Sequence, residues 1–178
     1  KTDNTGYVLI HDGARPFVTP QIIERAYETA VKYRACVVGM PSKDTVKIAL
    51  YSTHNFEEPC ISGKKGSGTV FFSNCNMNCV FCQNYEISQL GRGKEITIEE
   101  LANVMIKQQE RNVQNINLVT PTSYALHIVE AIKIARKKGL EIPIVYNTNG
   151  YESVETLKLL EGYVDIYFCL LYTSPSPR

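Results

Sequence analysis

Residues 69–82 have the sequence TVFFSNCNMNCVFC. The apolar run from Thr69 to Phe72 predicts a buried β-strand, and three cysteines follow it within one short segment: Cys75, Cys79 and Cys82. The three thiols are therefore expected in a single loop at the carboxyl end of a strand. An iron–sulfur cluster normally takes four cysteine ligands, so a site that supplies three leaves one iron open to a substrate or cofactor.

Two other interpretations of the cysteines stay open at this point. A structural zinc site needs a closed set of four ligands, and no second Cys or His pair follows at the usual spacing. Simple packing of apolar thiols is the other alternative. The chain has six cysteines, three of them clustered, which favours metal or redox chemistry over disulfides in a reducing compartment. Cys60 is interpreted as a small buried apolar side chain.

Strands and helices alternate after the cysteines. Thr97 and Glu100 form a capping box at the start of one helix, and a second helix runs from about Tyr124 to a glycine C-cap at Gly139. The further predicted elements are strands at 115–119, 142–146 and 164–168 and a helix at 153–160. Four strands separated by three helices predict an α/β fold with parallel pairing, in an open sheet or an arc of a barrel.

The first part of the chain has its own pattern. A strand is predicted at 7–10, a helix after Thr19 and Pro20, and another strand at 36–38. Periodicity is lost between Pro41 and Gly68, which predicts a long loop containing a boundary. The predicted segments are therefore 1–48, a junction at 49–67, a core at 68–168 and a tail at 169–178.

Composition narrows the classes of protein. A hydrophobic fraction of 44% in 178 residues is typical of a soluble globular protein, and a net charge of +1 gives no support for a nucleic-acid partner. No apolar stretch approaches the roughly 18 residues of a membrane span, and no signal peptide is visible. We therefore predict a cytoplasmic protein without a membrane or nucleic-acid partner.

The cysteine segment resembles the signature of radical S-adenosylmethionine (SAM) proteins, including the aromatic Phe81 before the last cysteine. Together with residues 57–63, Thr120-Pro121-Thr122 and 147–150, the resemblance covers about 110 residues and looks like the branch similar to pyruvate formate-lyase activating enzymes. It implies a (β/α)6 partial barrel, here incomplete, with a 4Fe–4S cluster held by the three cysteines. The unique iron would chelate the amino and carboxylate groups of SAM.

The same resemblance implies chemistry and partners. A reduced flavodoxin or ferredoxin would donate one electron, and SAM would be cleaved to methionine and a 5′-deoxyadenosyl radical that abstracts hydrogen from the substrate. That substrate would be a glycyl-radical enzyme or another protein. The rival interpretations are a non-catalytic iron–sulfur module for electron transfer and a chain without activity.

Seven residues are assigned to SAM by this resemblance, and none is singled out as catalytic: Phe81, Thr120, Pro121, Thr122, Asn147, Thr148 and Asn149. Residues 120–122 replace a Gly-Gly-Glu segment of the wider superfamily, and residues 147–148 replace an Asp-Thr pair that contacts a cation and SAM. Ordinary turn chemistry is the alternative for both loops. Two further departures are Asn74 in place of glycine and Ser123 in place of histidine.

Residues 7–48 resemble a different family, the cytidylyltransferases that act on methylerythritol phosphate in isoprenoid synthesis. The resemblance rests on the segments 11–16 and 41–47. It implies Mg²⁺ and CTP as ligands of the parent family, with Asp12 binding the metal and Arg15 a phosphate. Lys43, Asp44 and Thr45 complete the matching residues. The family's Gly-rich CTP loop has no counterpart before Lys1, so we do not expect cytidylyl transfer.

The two resemblances meet at residues 46–49, a string that suits either family. Residues 169–178 resemble a translated sequencing adapter. We therefore expect a composite chain made of part of a cytidylyltransferase, a truncated radical SAM core and a non-native tail. Such a chain would be inactive and poorly soluble, because a truncated sheet exposes apolar surface and strand edges.

Overall fold

The computed structural model describes residues 44–77 and 79–169. The chain divides into two units, Lys1–Ser42 and Lys43–Arg178, and the description below concerns the second. The predicted elements before residue 44 and the tail from residue 170 lie outside the described residues, as do Asp12, Arg15 and Lys43 of the cytidylyltransferase-like segment.

A mixed six-stranded sheet forms the centre of the described unit. Its strands are β1 (Thr45–His54), β2 (Ser67–Phe72), β3 (Lys94–Thr97), β4 (Ile116–Val119), β5 (Ile144–Thr148) and β6 (Ile166–Cys169), in the spatial order β3-β1-β2-β4-β5-β6. Strands β2, β4, β5 and β6 are parallel neighbours, whereas β1 is antiparallel to both β2 and β3. The sheet therefore has a parallel part and an antiparallel extension.

Five helices accompany the strands in this part of the chain. They are α1 (Pro59–Ser62), α2 (Tyr85–Ser88), α3 (Ile98–Glu110), α4 (Ala125–Lys137) and α5 (Val154–Leu160), with a 3₁₀ turn at Thr122–Tyr124. The capping box at Thr97 and Glu100 is present at the start of α3, as the sequence predicted. The core packs apolar residues of α3 and α4 against one face of the sheet, including Ile116, Leu118 and Ile128.

The predicted α/β class and the four parallel strands with their three helices are confirmed. Closure into a partial barrel stays a prediction. Parallel strands bury both faces, and β4 and β5 are accordingly buried at every position. The carboxyl ends of β2, β4 and β5 lie side by side, so the loops that follow them meet at one edge of the sheet.

The prediction of a long loop between Pro41 and Gly68 was wrong. Strand β1 occupies residues 45–54 and buries Val46 and Ile48 in the same core as the parallel strands. A register shift between Ile48 and Leu50 interrupts the alternation of buried and exposed residues and leaves Leu50 44% exposed. The hydrophobic pattern of the sequence therefore does not indicate this strand. The predicted boundary at residues 48–49 falls inside this strand.

Within the described residues, no helix combines the length and the apolar character that crossing a bilayer requires.

Candidate functional site

The cysteine loop starts from a fixed point at the end of β2. The backbone N–H of Ser73 donates to the carbonyl of Lys47 on β1 at 2.9 Å, and its hydroxyl donates to the carbonyl of Arg92 at 2.7 Å. The N–H of Cys75 donates to the carbonyl of Ser88 at 3.1 Å. The start of the loop is thus tied to neighbouring backbone at Ser73 and Cys75.

The two departures from the family pattern contact each other. Asn74 has a left-handed backbone (φ 63°), a conformation that asparagine adopts more readily than most residues. The hydroxyl of Ser123 donates to its carbonyl at 2.7 Å, and the Asn74 amide donates to the Tyr124 hydroxyl at 3.0 Å. These two contacts join the cysteine loop to the loop after β4, one through the backbone carbonyl of Asn74 and one through its side chain.

All three cysteines of the loop are half-buried. Cys75 Sγ accepts a hydrogen bond from the Met77 N–H at 3.4 Å and one from the Asn149 amide at 3.5 Å. Cys82 Sγ lies 3.2 Å from the Ser88 hydroxyl. Within residues 44–77 and 79–169, no three His, Cys, Asp or Glu side chains converge on one metal position.

The loop after β5 also contacts the cysteine loop. The Asn149 amide donates to Asn76 Oδ1 at 2.6 Å, and the Asn76 amide donates to the carbonyl of Tyr151 at 3.1 Å. The Tyr151 N–H in turn donates to Asn149 Oδ1 at 2.9 Å. Asn149, assigned to SAM by resemblance, therefore connects the two loops and reaches a cysteine sulfur.

Glu152 is a site residue that sequence analysis missed. Its Oε1 accepts a hydrogen bond from Thr122 Oγ1 at 2.6 Å, and its Oε2 accepts one from Thr148 Oγ1. The contact joins the loop after β4 to the loop after β5. Together with the Ser123–Asn74 and Asn149–Asn76 contacts it closes a ring of hydrogen bonds around the three loops. Burial, followed by the nearby charge of Glu152, raises the pKa of Tyr146.

Two asparagines on the sheet carry buried amide atoms without a partner. Asn147 is only 3% exposed and its Oδ1 has no hydrogen-bond partner among the described residues; both amide atoms of Asn117 are in the same state. Asn147 pairs with Val119, two residues after Asn117, so the two side chains leave the same face of the sheet. An unpaired buried amide costs about 1–3 kcal/mol, which a polar ligand would offset.

The remaining predicted residues differ in exposure. Pro121 is buried, Thr120 is half-buried with φ 59°, and Phe81 is 57% exposed. Asp44 is exposed and Thr45 begins β1, opposite Thr97. The interpretation of Cys60 as a buried apolar side chain was wrong: it is exposed. It follows Pro59 in the short helix α1, whose buried positions are Ile61 and Ser62.

Residues 69–177, more than half of the chain, match the family model described as the Radical SAM superfamily. The chain belongs to the radical SAM superfamily. Its 39% identity over 110 residues to an uncharacterized protein of Methanocaldococcus jannaschii covers 57% of this chain and 31% of that relative. The radical SAM match spans the cysteine loop and the loops after β4 and β5, so the site described above lies within it.

Residues 1–55 match a second family model, 2-C-methyl-D-erythritol 4-phosphate cytidylyltransferase. The cytidylyltransferase of Lachnospira eligens is 54% identical over 44 residues, 25% of this chain and 19% of that protein. The one from Clostridium beijerinckii is 30% identical over 128 residues, 71% of this chain and 56% of that protein. The chain thus spans about a third of its radical SAM relative and between a fifth and just over half of these cytidylyltransferases.

Radical SAM membership implies a 4Fe–4S cluster and SAM, and the residues present fit both by their chemistry. Three half-buried thiols on one loop form the three-cysteine donor set of such a cluster. The unpartnered Oδ1 of Asn147 at the end of β5 offers an acceptor to a ligand N–H or O–H.

Thr120 gives a test of the loop after β4. A β-branched residue pays about 1–2 kcal/mol for a left-handed backbone, and glycine does not. We expect Thr120→Gly to raise the free energy of unfolding by roughly 0.5–1 kcal/mol after the entropy of glycine is subtracted, as measured by denaturant titration. Thr53→Gly on the exposed side of β1 is the control and should lower it. Equal losses in both variants would contradict the left-handed assignment.

Proposed function

We propose that this chain carries the cofactor site of a radical SAM protein of the activating-enzyme type, with the cluster on Cys75, Cys79 and Cys82 and SAM at the carboxyl edge of the sheet. The observation that supports this is the ring of hydrogen bonds joining the three loops after β2, β4 and β5. A shared edge at the ends of parallel strands is where ligands bind in α/β folds. The loops therefore act as one site.

The bound cluster and SAM would together supply one-electron chemistry that generates a carbon radical for hydrogen abstraction. The chain's own residues bind and orient. Asn147 accepts a hydrogen bond from the ligand. The Asn149 amide donates a hydrogen bond to Cys75 Sγ, so a partly positive hydrogen lies next to the sulfur. Phe81 is largely exposed, and its contact with the ligand is proposed from the resemblance.

The proposed partners follow from the same chemistry. A flavodoxin or ferredoxin supplies the electron, and the exposed side chains of Val80 and Phe81 leave the cysteine loop accessible to a protein. The proposed substrate is the glycine of a glycyl-radical enzyme, and another protein substrate is the alternative.

Anaerobic reconstitution with iron and sulfide tests this function. We expect the dithionite-reduced chain to show an EPR signal that changes on addition of SAM, because SAM binds the iron without a cysteine ligand. A chain that binds zinc and no iron would overturn the proposal in favour of a structural site. A cluster whose EPR signal does not change when SAM is added would support the electron-transfer alternative.

Cytidylyl transfer is the second candidate, supported by the match of residues 1–55. In that function Asp12 would hold Mg²⁺ and Arg15 a phosphate of the substrate, with Lys43 as a further phosphate contact. The matched segment corresponds to only 19% of the Lachnospira eligens protein. We expect no release of pyrophosphate from CTP with Mg²⁺ and methylerythritol phosphate; measurable release would establish this activity.

We further propose that the chain is composite, with 1–48 of cytidylyltransferase origin, a junction at 49–67, a radical SAM core at 68–168 and a non-native tail. Matches to two families in one chain support the two origins, and because the radical SAM match runs to residue 177 it gives the non-native tail no support. Amplification of the source DNA across the codons for residues 43–54 is the test. A continuous product would establish a genuine fusion; separate products with their own neighbours would establish two genes.

A further inference from the structure

Strand β1 has a free edge over its second half. β3 pairs with β1 only over Thr45–Ile48, whereas β2 accompanies β1 on its other side as far as His54. Among the described residues, no strand lies beside residues 49–54 on the side of β3. The register shift between Ile48 and Leu50 falls where this pairing ends, a usual position for a bulge. A strand of six residues spans about 20 Å, so this edge is long enough to take an ordinary strand.

An open cavity of about 550 Å³ follows this edge. Residues 48–51 of β1 line it, together with Lys94 and Ile96 of β3. Since successive side chains of a strand point to opposite faces, a cavity lined by consecutive residues lies along the edge of the strand. The opposite wall is one face of α3, whose lining residues have the spacing i, i+3, i+4 and i+7: Glu100, Asn103, Val104 and Lys107. We call this cavity the edge groove.

The edge groove can bind an extended chain as one strand binds another. A free strand edge presents backbone N–H and C=O groups that an incoming strand satisfies. One of these carbonyls, that of Ser52, accepts a hydrogen bond from the Gln108 side chain at 3.1 Å. Leu50 is 44% exposed, and it lines the groove together with the apolar Ile96 and Val104. Alternate side chains of an incoming strand therefore meet an apolar wall.

Positive charge predominates around the edge groove. Lys94 and Lys107 are exposed and form no ion pair within the part of the chain that the structure describes. The guanidinium of Arg111 lies 5.7 Å from the centroid of the Tyr51 ring, which lines the groove. Glu100 contributes the carboxylate of the lining, and that carboxylate is held in the capping box at the start of α3. The groove therefore attracts carboxylates from outside the chain.

We propose that the edge groove binds an extended acidic segment of a partner protein, which adds to the sheet as a strand beside residues 49–54. Main-chain hydrogen bonds give such a complex its affinity, and Lys107 and Arg111 contact the acidic side chains. The charges favour this occupant over a second copy of the chain, because two copies joined edge to edge would bring their positive groups together. Neither the cluster nor SAM takes part in this binding.

Peptide binding to the full chain tests the proposal without reconstitution of a cluster. The probe is a fluorescent peptide of about seven residues, the length of a strand, in which valine and glutamate alternate. A second peptide carries lysine in place of glutamate. We expect the glutamate peptide to bind at least about tenfold more tightly, as measured by fluorescence anisotropy, because its charges complement those of the groove.

Methylation of the peptide backbone distinguishes strand addition from attraction between charges. Only alternate N–H groups of a strand face a given neighbour. One glutamate peptide is therefore methylated at the nitrogens of its valines and another at those of its glutamates. We expect one of the two to lose about tenfold or more in affinity, the cost of several hydrogen bonds, and the other to lose less.

Lys107→Glu tests the contribution of the groove's charge. It should weaken binding of the glutamate peptide by about tenfold and strengthen binding of the lysine peptide. Lys137→Glu is the matched control, because both lysines are exposed in the last turn of a helix and Lys137 does not line the groove. Its affinities should equal those of the wild type.

Three results would overturn the proposal. Equal affinity for the glutamate and lysine peptides, or no binding, would mean that the lysines only protect the edge from pairing. Unchanged affinity of both methylated peptides would mean a contact between charges without strand addition. A dimer that the glutamate peptide cannot dissociate and Lys107→Glu strengthens would assign the edge to a second copy. The peptide comparisons need only the wild-type chain, so they remain decisive if Lys107→Glu does not fold.

Discussion

Replacement of Cys79 by alanine is expected to reduce the iron bound after anaerobic reconstitution from about four atoms per chain to less than one. Three cysteines are the smallest protein ligand set that holds such a cluster with one iron open, and alanine supplies no donor. Iron and acid-labile sulfide analysis, with the visible absorption of the cluster, measures the effect. Cys75→Ala and Cys82→Ala should give the same loss.

Cys60→Ala is the control, because it removes a thiol that is exposed and lies outside the cysteine loop. It should retain the iron of the wild type. If Cys60→Ala loses as much iron as Cys79→Ala, the metal is bound by scattered thiols and the proposed site is wrong. Equal iron in all four variants and the wild type would mean adventitious iron.

The parallel part of the fold could be predicted because its signals are local. Strands β4 and β5 are short apolar runs, as expected for strands buried on both faces. Helix α3 starts at a capping box, and α4 ends before a glycine with φ 98°. Each signal lies within a few residues of the element that it marks.

Strands β1 and β3 could not be predicted in this way because their stability comes from distant partners. β3 has four residues, of which only Ile96 is buried, and it exists by pairing with residues 45–48 of β1. β1 contains a register shift that interrupts its alternation. Both strands form because they pair with residues that are distant in sequence, and a local sequence pattern carries no information about such pairing.

The candidate site also has a part that local sequence signals predict and a part that depends on distant contacts. The spacing of the cysteines indicated the loop and its chemistry, whereas Glu152 lies 30 residues from Thr122 and has no motif of its own. Its only signal in the sequence is that its carboxylate is the one charge in three otherwise neutral loops. Asn74 and Ser123 each looked like an unfavourable substitution when considered alone. In the structure the Ser123 hydroxyl donates to the backbone carbonyl of Asn74, 49 residues away, and the Asn74 amide donates to the Tyr124 hydroxyl, contacts that neither position indicates alone.

Replacement of Gly93 by alanine is expected to lower the free energy of unfolding by about 3 kcal/mol. A Cβ at this position would lie 2.5 Å from Ser73 Oγ and 2.6 Å from the carbonyl oxygen of Ile48. The carbonyl cannot move away, because Ile48 is paired with strands on both of its sides. The φ angle of Gly93 is 153°, which adds backbone strain for any residue with a side chain. Thermal or denaturant unfolding measures the loss.

Gly139→Ala separates the steric clash of the added Cβ from the backbone strain. Gly139 has φ 98° and no atom within 4 Å of a Cβ, so alanine there meets only the backbone cost, about 1–2 kcal/mol. The excess loss in Gly93→Ala is then the steric cost of the close approach of residue 93 to β1 and to Ser73 at the start of the cysteine loop. Because Ser73 binds the carbonyl of Arg92 beside this glycine, Gly93→Ala should also reduce iron uptake, and Gly139→Ala should not. Equal destabilisation in both variants would contradict the close approach, and unchanged iron uptake in Gly93→Ala would show that the cysteine loop does not depend on this anchor.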